Sequence, residues 1–123
     1  MAAQIPATRL GTHVLADIVE VADPDRFAPD FLSAAFADAL RAAGATVLRF
    51  VVQEFEPQGV SVLAVLAESH ASLHTWPERS TVLVDVFTCG AMSPKLVVDE
   101  LAARLGRCTV RLNEVERHAG PPV

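Results

Sequence analysis

The sequence predicts an α+β fold, a two-layer sandwich in which two helices cover one face of a mostly antiparallel sheet. Two segments carry apolar residues at helical spacing, and the other apolar segments are β-branched runs separated by glycine and proline. The predicted order of strand, helix, three strands, helix and strand does not alternate as a parallel fold requires. With 123 residues, of which 51% are hydrophobic, the chain has enough apolar material for a single domain.

The first strand is predicted over Val14–Val21, where β-branched residues are frequent. An amphipathic helix follows, because apolar residues recur with its period. They are Phe27, Phe31, Ala35, Phe36, Ala39, Leu40 and Ala43. Asp23-Pro24 and Ala28-Pro29 are alternative starts for this helix, since proline fits the first helical turn. Gly44 is expected to end it, because glycine accepts the left-handed conformation found there.

Two further strands are predicted over Thr46–Phe55 and Val60–Ala67, joined as a hairpin by the turn-forming residues 56–59. The polar segment Glu68–Glu78 comes next, and it contains two histidines, two glutamates and the only tryptophan of the chain. It is predicted to lie at the end of the preceding strand, not in a strand of its own. Polar side chains concentrated at a strand end are typical of a functional site.

The next strand is predicted over Thr81–Phe87, and Ser93-Pro94 then opens a second helix that ends at Gly106. The last strand is predicted over Thr109–Val115, and residues 118–123 are expected to be a loose tail. Both helices are expected on one face of the sheet. The other face therefore needs cover, for which dimerisation is one solution.

Composition and charge exclude several kinds of partner. Ten basic against fifteen acidic residues give a net charge of −5, which argues against binding to a nucleic-acid backbone. No apolar run is long enough to span a membrane and no signal peptide is indicated, so the chain is expected in the cytoplasm. Cys89 and Cys108 are too few for a disulfide framework and lack the close spacing of a structural zinc site.

Four motifs in a set order make the polar segment more informative. They are Phe55–Ser61, Glu68–His70, Leu73–Glu78 and Phe87–Gly90. Together they resemble the prokaryotic S-adenosylmethionine decarboxylase proenzyme family, and Gly11 and His13 resemble the opening of that family. The likeness covers nearly the whole chain, and the four motifs in register are far more specific than any one of them.

The resemblance implies a self-processing decarboxylase that uses a pyruvoyl group and no pyridoxal phosphate. Decarboxylating an α-amino acid needs an electron sink next to the amine. The single lysine, Lys95, lies in a predicted helix away from the polar segment, which disfavours pyridoxal phosphate. In the family, a serine attacks the preceding carbonyl, and the resulting ester eliminates to leave a pyruvoyl group that forms a Schiff base with the substrate. Here that implies cleavage between Glu68 and Ser69, giving a β chain, 1–68, and an α chain, 69–123.

The resemblance also implies roles for other residues of the motifs. Ser61 and His74 assist self-processing, as a hydroxyl for the cyclic intermediate and an imidazole for the α-proton. Cys89 is the acid that reprotonates the decarboxylated carbon. Phe55 stacks on the adenine, and Glu78 binds the ribose hydroxyls. A homodimer of processed protomers is expected, and no metal is expected at the site. The product is the aminopropyl donor for spermidine.

Departures from the family pattern leave a second substrate class open. Gln53 and Glu54 stand where relatives commonly have a histidine and a basic residue, and Val62 stands where glycine is usual. If Glu54 faced the site, its carboxylate would favour a basic amino acid such as ornithine or arginine. Strand periodicity, however, places position 54 on the opposite face from Phe55.

Two readings without a pyruvoyl group are also open. His70, His74 and Cys89 are a possible set of metal ligands, although residues 75–77 disfavour the helix that would put both imidazoles on one face. A non-catalytic interaction module would keep the sheet and the helices. Such a module would have no use for Ser69 in this setting.

Overall fold

The computed structural model describes residues 8–121, which form six β-strands and two α-helices. The strands are β1 (Thr8–Val19), β2 (Val47–Glu54), β3 (Val60–Leu66), β4 (Ser69–Trp76), β5 (Thr81–Thr88) and β6 (Thr109–Ala119). The helices are α1 (Pro29–Ala42) and α2 (Pro94–Leu105), and short 3₁₀ turns occupy Pro24–Phe27 and Pro77–Arg79.

All six strands belong to one antiparallel sheet, in the order β2-β3-β4-β5-β1-β6. Alternate side chains of the four central strands point to one face, where they pack against both helices and form the core. Fully buried side chains of this core include Phe36 from α1, Leu73 from β4 and Leu101 from α2. The predicted two-layer sandwich, with both helices on one face, is therefore confirmed.

Each of the three prolines predicted to open a helix starts a helical element. Pro24 opens a 3₁₀ turn and Pro29 opens α1, so the two alternative starts of the first helix are two consecutive elements. Gly44, at φ +92°, follows the end of α1 as predicted. Pro94 opens α2, although the Ser93 side chain makes no capping hydrogen bond. Neither helix of the described residues is long and apolar enough to cross a membrane.

The polar segment forms a strand of its own, β4, which corrects the predicted element order. From His70 onwards buried positions alternate with more exposed ones along it, the period-two pattern of a half-buried strand. The buried positions are Ala71, Leu73 and Thr75, and the opposite face carries His70, Ser72, His74 and Trp76. Thr75 is the only β-branched residue in the strand, so the composition that usually marks a strand is absent. The candidate site residues are therefore held on a hydrogen-bonded strand between β3 and β5.

The last strand is longer than predicted. β6 extends to Ala119 because it pairs with β1 along its length, and Arg9 lies opposite His118. The sequence had indicated a loose tail from residue 118, but His118 and Ala119 belong to the strand. The end of the expected tail, residues 122 and 123, lies outside the described residues.

The sheet face that points away from the helices, here called the open face, is not covered within the described chain. It consists of the outward-pointing side chains of the strands. Leu15, Leu63, Val65 and Leu83 expose 44%, 55%, 49% and 37% of their surface there. Leucine and valine side chains exposed together in the middle of a sheet are typical of a surface that a partner covers.

Candidate active site

Ser69 begins β4 immediately after the tight turn from β3. Leu66 and Ser69 are paired across the hairpin, so Ala67 and Glu68 alone make the turn. Glu68 has φ +58°, in the left-handed region of backbone conformation, and its side chain is exposed. The peptide bond between Glu68 and Ser69 therefore lies at the tip of the hairpin.

Cys89 meets this turn from the end of β5. His70 pairs with Phe87, which brings the residues after β5 alongside the turn. The Cys89 thiol donates to the carbonyl oxygen of Glu68, with Sγ 2.8 Å from the oxygen, and the Cys89 N–H donates to Ser69 Oγ at 3.3 Å. Ser69 Oγ and Cys89 Sγ are 4.0 Å apart. Three predicted site residues therefore come together, with the thiol of Cys89 on the Glu68 carbonyl and its N–H on the Ser69 hydroxyl.

Ser61 and His74 form a second polar pair. They lie directly opposite each other on β3 and β4, on the open face, and both are half-buried. A hydrogen bond joins the Ser61 hydroxyl to His74 Nδ1. An imidazole held by a hydroxyl is well suited to transferring a proton near neutral pH.

An aromatic cavity of about 230 Å³ lies next to His74. Phe55 and Trp76 line it, and the centroid of the His74 ring is 4.6 Å from that of Trp76 and 5.9 Å from that of Phe55. Glu78 also lines the cavity, and the Gln58 amide donates to its carboxylate, Nε2 to Oε2, at 2.9 Å. Aromatic faces beside a carboxylate are suited to a flat heteroaromatic ring joined to a group that bears hydroxyls.

Sequence reasoning assigned no role to three residues that shape this cavity, Trp76, Gln58 and Thr75. Thr75 is 3% exposed, and its hydroxyl accepts from the Val60 N–H at 2.9 Å, which ties the start of β3 to β4. Trp76 follows His74 by two positions, so the period of a strand could have placed both on one face. The contact of Gln58 with Glu78 joins residues 20 positions apart and left no signal in the local sequence.

The Ser61–His74 pair does not meet Ser69 and Cys89 within one chain. Ser69 and His74 are five positions apart on the same extended strand, a separation of roughly 16 Å at about 3.3 Å per residue. No serine or histidine side chain spans such a distance. The Ser61–His74 pair therefore cannot reach the Glu68–Ser69 bond of its own chain.

The metal site considered from the sequence does not fit the geometry. His70 and His74 are four positions apart on β4, about 13 Å, so their rings cannot bind one ion. In the part of the chain that the structure describes, His13, His70 and Asp85 do bring possible ligand atoms within 4.8 Å of one another. However, His13 Nε2 is already hydrogen-bonded to Asp85 at 2.8 Å, and Arg117 lies 3.4 Å from His13 Nδ1. These side chains occupy both ring nitrogens of His13 without a metal ion.

Glu54, Lys95 and Cys108 lie outside the site. Glu54 does not line the aromatic cavity but an adjoining one of about 730 Å³, which shares Phe55 and Gln58 with it. Lys95 forms an ion pair with Asp99 at 2.9 Å on the exposed surface of α2. Cys108 is half-buried against the core, and burial raises the pKa of its thiol, as is typical of a small packing residue.

Similarity to known proteins extends over most of the chain. The family model described as S-adenosylmethionine decarboxylase matches residues 12–118. An S-adenosylmethionine decarboxylase proenzyme of Prochlorococcus marinus (strain MIT 9313) is 38% identical over 109 residues, which cover 88% of this chain and 87% of that protein. A proenzyme of the same name from Parasynechococcus marenigrum (strain WH8102) is 48% identical over 82 residues. That match covers 66% of this chain and 63% of the relative, which is less than two thirds of the relative's length.

A solved structure matches the fold as well. The crystal structure of the adenosylmethionine decarboxylase from Aquifex aeolicus VF5 superimposes with a TM-score of 0.82 and 32% sequence identity. The match covers 90% of this chain and 92% of that one. Fold and sequence similarity therefore lead to the same family.

Proposed function

The chain belongs to the S-adenosylmethionine decarboxylase family, and from that premise we propose that it is a self-processing decarboxylase of S-adenosylmethionine with a pyruvoyl group made from Ser69. The observation that carries the proposal is that Cys89 contacts both reacting groups, the Glu68 carbonyl oxygen through its thiol and the Ser69 hydroxyl through its N–H. A cysteine with only a packing role would not need contacts to both the carbonyl and the hydroxyl that react.

Self-processing begins with attack of Ser69 Oγ on the carbonyl carbon of Glu68. As the new C–O bond forms, the carbonyl oxygen gains negative charge, and the Cys89 thiol is placed to donate to it. Breaking the C–N bond gives an ester, and loss of the Ser69 α-proton then expels the Glu68 carboxylate and leaves a dehydroalanine, whose enamine takes a proton on the β-carbon to become an imine. Water hydrolyses the resulting imine, so one water is consumed and one ammonia is released.

The surroundings of Ser69 suit the group that this reaction makes. Position 69 becomes the first residue of the α chain, and the pairing of β4 with β5 from His70 onwards holds it in place after cleavage. A pyruvoyl ketone there supplies the electron sink for loss of carbon dioxide. Cys89 stays beside this position and is the proposed acid for the substrate carbon.

The aromatic cavity is the proposed site for the adenosyl part of the substrate. Phe55 and Trp76 offer ring faces for the adenine, and Glu78 offers acceptors for the ribose hydroxyls. The same faces and the carboxylate favour the positive charge of the sulfonium. His74 lies at the edge of this cavity, so the ligand site and the Ser61–His74 pair belong to one unit.

The active unit is proposed to be a homodimer in which two open faces pack together. Because the Ser61–His74 pair cannot reach Ser69 of its own chain, a second copy is the natural source of these groups. Packing the open faces would also bury the exposed leucine and valine side chains. In a two-fold dimer, each site would combine Ser69 and Cys89 of one protomer with Ser61 and His74 of the other.

A basic amino acid is the second substrate class to compare. Glu54, the residue that raised it, lines the larger cavity, which adjoins the aromatic one at Phe55, but it does not line the aromatic cavity itself. Phe55 and Glu78, which suit a nucleoside, line the aromatic cavity together. S-adenosylmethionine is therefore the proposed substrate, and its decarboxylated product is the proposed aminopropyl donor for spermidine.

Intact mass and a decarboxylation assay test this function. The purified protein should separate into fragments 1–68 and 69–123, with a pyruvoyl group at the start of the second fragment. It should release carbon dioxide from S-adenosylmethionine and not from ornithine or arginine. A chain that stays intact after long incubation would contradict self-processing, and release from ornithine or arginine alone would contradict the substrate.

A further inference from the structure

Glu68 has a backbone conformation that glutamate seldom adopts. Its φ of +58° lies in the left-handed region, where the Cβ of an L-residue crowds the carbonyl oxygen. Tight hairpin turns usually place glycine or asparagine at such positions. The stability of the turn alone would therefore not favour glutamate here.

This conformation determines where the carbonyl group of Glu68 points. Its oxygen accepts from the Cys89 thiol at 2.8 Å, while the Cys89 N–H reaches Ser69 Oγ at 3.3 Å. An extended Glu68 would continue the direction of β3 and carry its carbonyl away from Cys89. The left-handed turn thus holds the scissile carbonyl and the Ser69 hydroxyl against one cysteine.

The side chain of Glu68 has no comparable set of contacts. Its carboxylate is exposed, and it makes no hydrogen bond or ion pair with another residue of the described part. We infer that Glu68 is a positioning residue whose left-handed backbone, and not its carboxylate, serves self-processing by holding the scissile carbonyl against Cys89. This inference rests on the proposed self-processing function.

Variants at position 68 separate the backbone from the carboxylate. Glu68→Gln removes the charge, Glu68→Asn and Glu68→Gly keep the left-handed region accessible, and Glu68→Val disfavours it. The first three should process with half-times within about threefold of the wild type, whereas the valine variant should be slower by about tenfold or more. The full chain is made by cell-free translation, and mass spectrometry follows the appearance of fragment 69–123.

Glu20 provides a matched control. It is an exposed glutamate with φ +56°, just after β1. Glu20→Val introduces the same backbone conflict away from the processing turn. It should lower the melting temperature about as much as Glu68→Val does, and it should leave the processing half-time unchanged.

Two results would overturn the inference. One is processing of Glu68→Val at the wild-type rate, and the other is slow processing of Glu68→Gln, which would assign the role to the carboxylate. If Glu68→Val does not fold, the asparagine and glutamine variants decide, because both must process near the wild-type rate. A wild-type chain that never processes would instead contradict the proposed function.

Discussion

The Cys89 thiol lies 2.8 Å from the carbonyl oxygen of Glu68, at the bond that precedes Ser69. The same thiol is 4.0 Å from Ser69 Oγ, the atom through which self-processing is proposed to begin. One side chain is therefore placed to act at two stages, first on the peptide bond and later on the substrate carbon. Experiments on Cys89 need to measure processing and turnover separately.

Replacing Cys89 should impair both stages to different degrees. In Cys89→Ala the carbonyl oxygen of Glu68 loses its thiol donor, so processing should slow by roughly tenfold to a hundredfold and still yield some cleaved protein. Turnover of the cleaved fraction should fall by about a hundredfold or more, because the acid is missing. Gel bands measure the first effect and carbon dioxide release the second. Cys108→Ala is the control and should behave as the wild type, and normal turnover by Cys89→Ala would exclude Cys89 as the acid.

Removing the hydroxyl of Ser69 should abolish cleavage. Ser69→Ala lacks the oxygen that attacks Glu68, so a denaturing gel should show a single full-length band and no carbon dioxide should be released. Ser93→Ala is a suitable control, since the Ser93 side chain makes no capping hydrogen bond and lies at the start of α2. Cleaved fragments from Ser69→Ala would show that another group starts the reaction.

Mixing two inactive variants tests the shared active site. Ser69→Ala and His74→Ala should each be inactive alone, but co-expression should restore activity, because one site of the mixed dimer receives an intact Ser69 and an intact His74. At equal expression and random pairing, about a quarter of the wild-type activity is expected. The measurement is carbon dioxide release from the co-purified pair. If a mixture shown to contain mixed dimers recovers no activity, Ser69 and His74 must act in a site made by one chain.

The hydrogen bond from Gln58 to Glu78 should affect substrate binding more than chemistry. Gln58→Leu leaves the Glu78 carboxylate without its amide partner, so KM for S-adenosylmethionine should rise about threefold to tenfold with little change in kcat. Glu78→Gln should raise KM further. The double variant should show little additional effect of Gln58→Leu, and strictly additive effects would mean that Gln58 does not act through Glu78.

The buried hydroxyl of Thr75 should contribute to stability. Thr75→Val keeps the shape of the side chain but removes the acceptor for the Val60 N–H, so a buried donor loses its partner. The expected loss is about 1–3 kcal/mol of unfolding free energy, measured by denaturant titration. Thr81→Val is the comparison, because its hydroxyl bonds only an exposed carbonyl, and it should change stability by less. Equal losses in both variants would mean that the buried Thr75–Val60 hydrogen bond stabilises the fold no more than the exposed one of Thr81.

The parts of the fold that follow local signals were predicted well. Pro29 and Pro94 begin the helices and Gly44 follows the first one, because proline and glycine restrict the backbone wherever they stand. β4 and the end of β6 were missed. Their residues are extended because neighbouring strands supply backbone hydrogen bonds, and those neighbours lie elsewhere in the sequence.

By itself, the sequence determined which reactive groups the chain carries and in what order, because these are properties of the covalent chain. Glu68 before Ser69, with His74 and Cys89 after them, was enough to indicate the family and the chemistry. Only the tertiary structure decided which of these groups meet. Cys89 touches Ser69 across 20 positions because β4 pairs with β5. His74, five positions from Ser69, is kept roughly 16 Å away because an extended strand separates residues that are close in sequence.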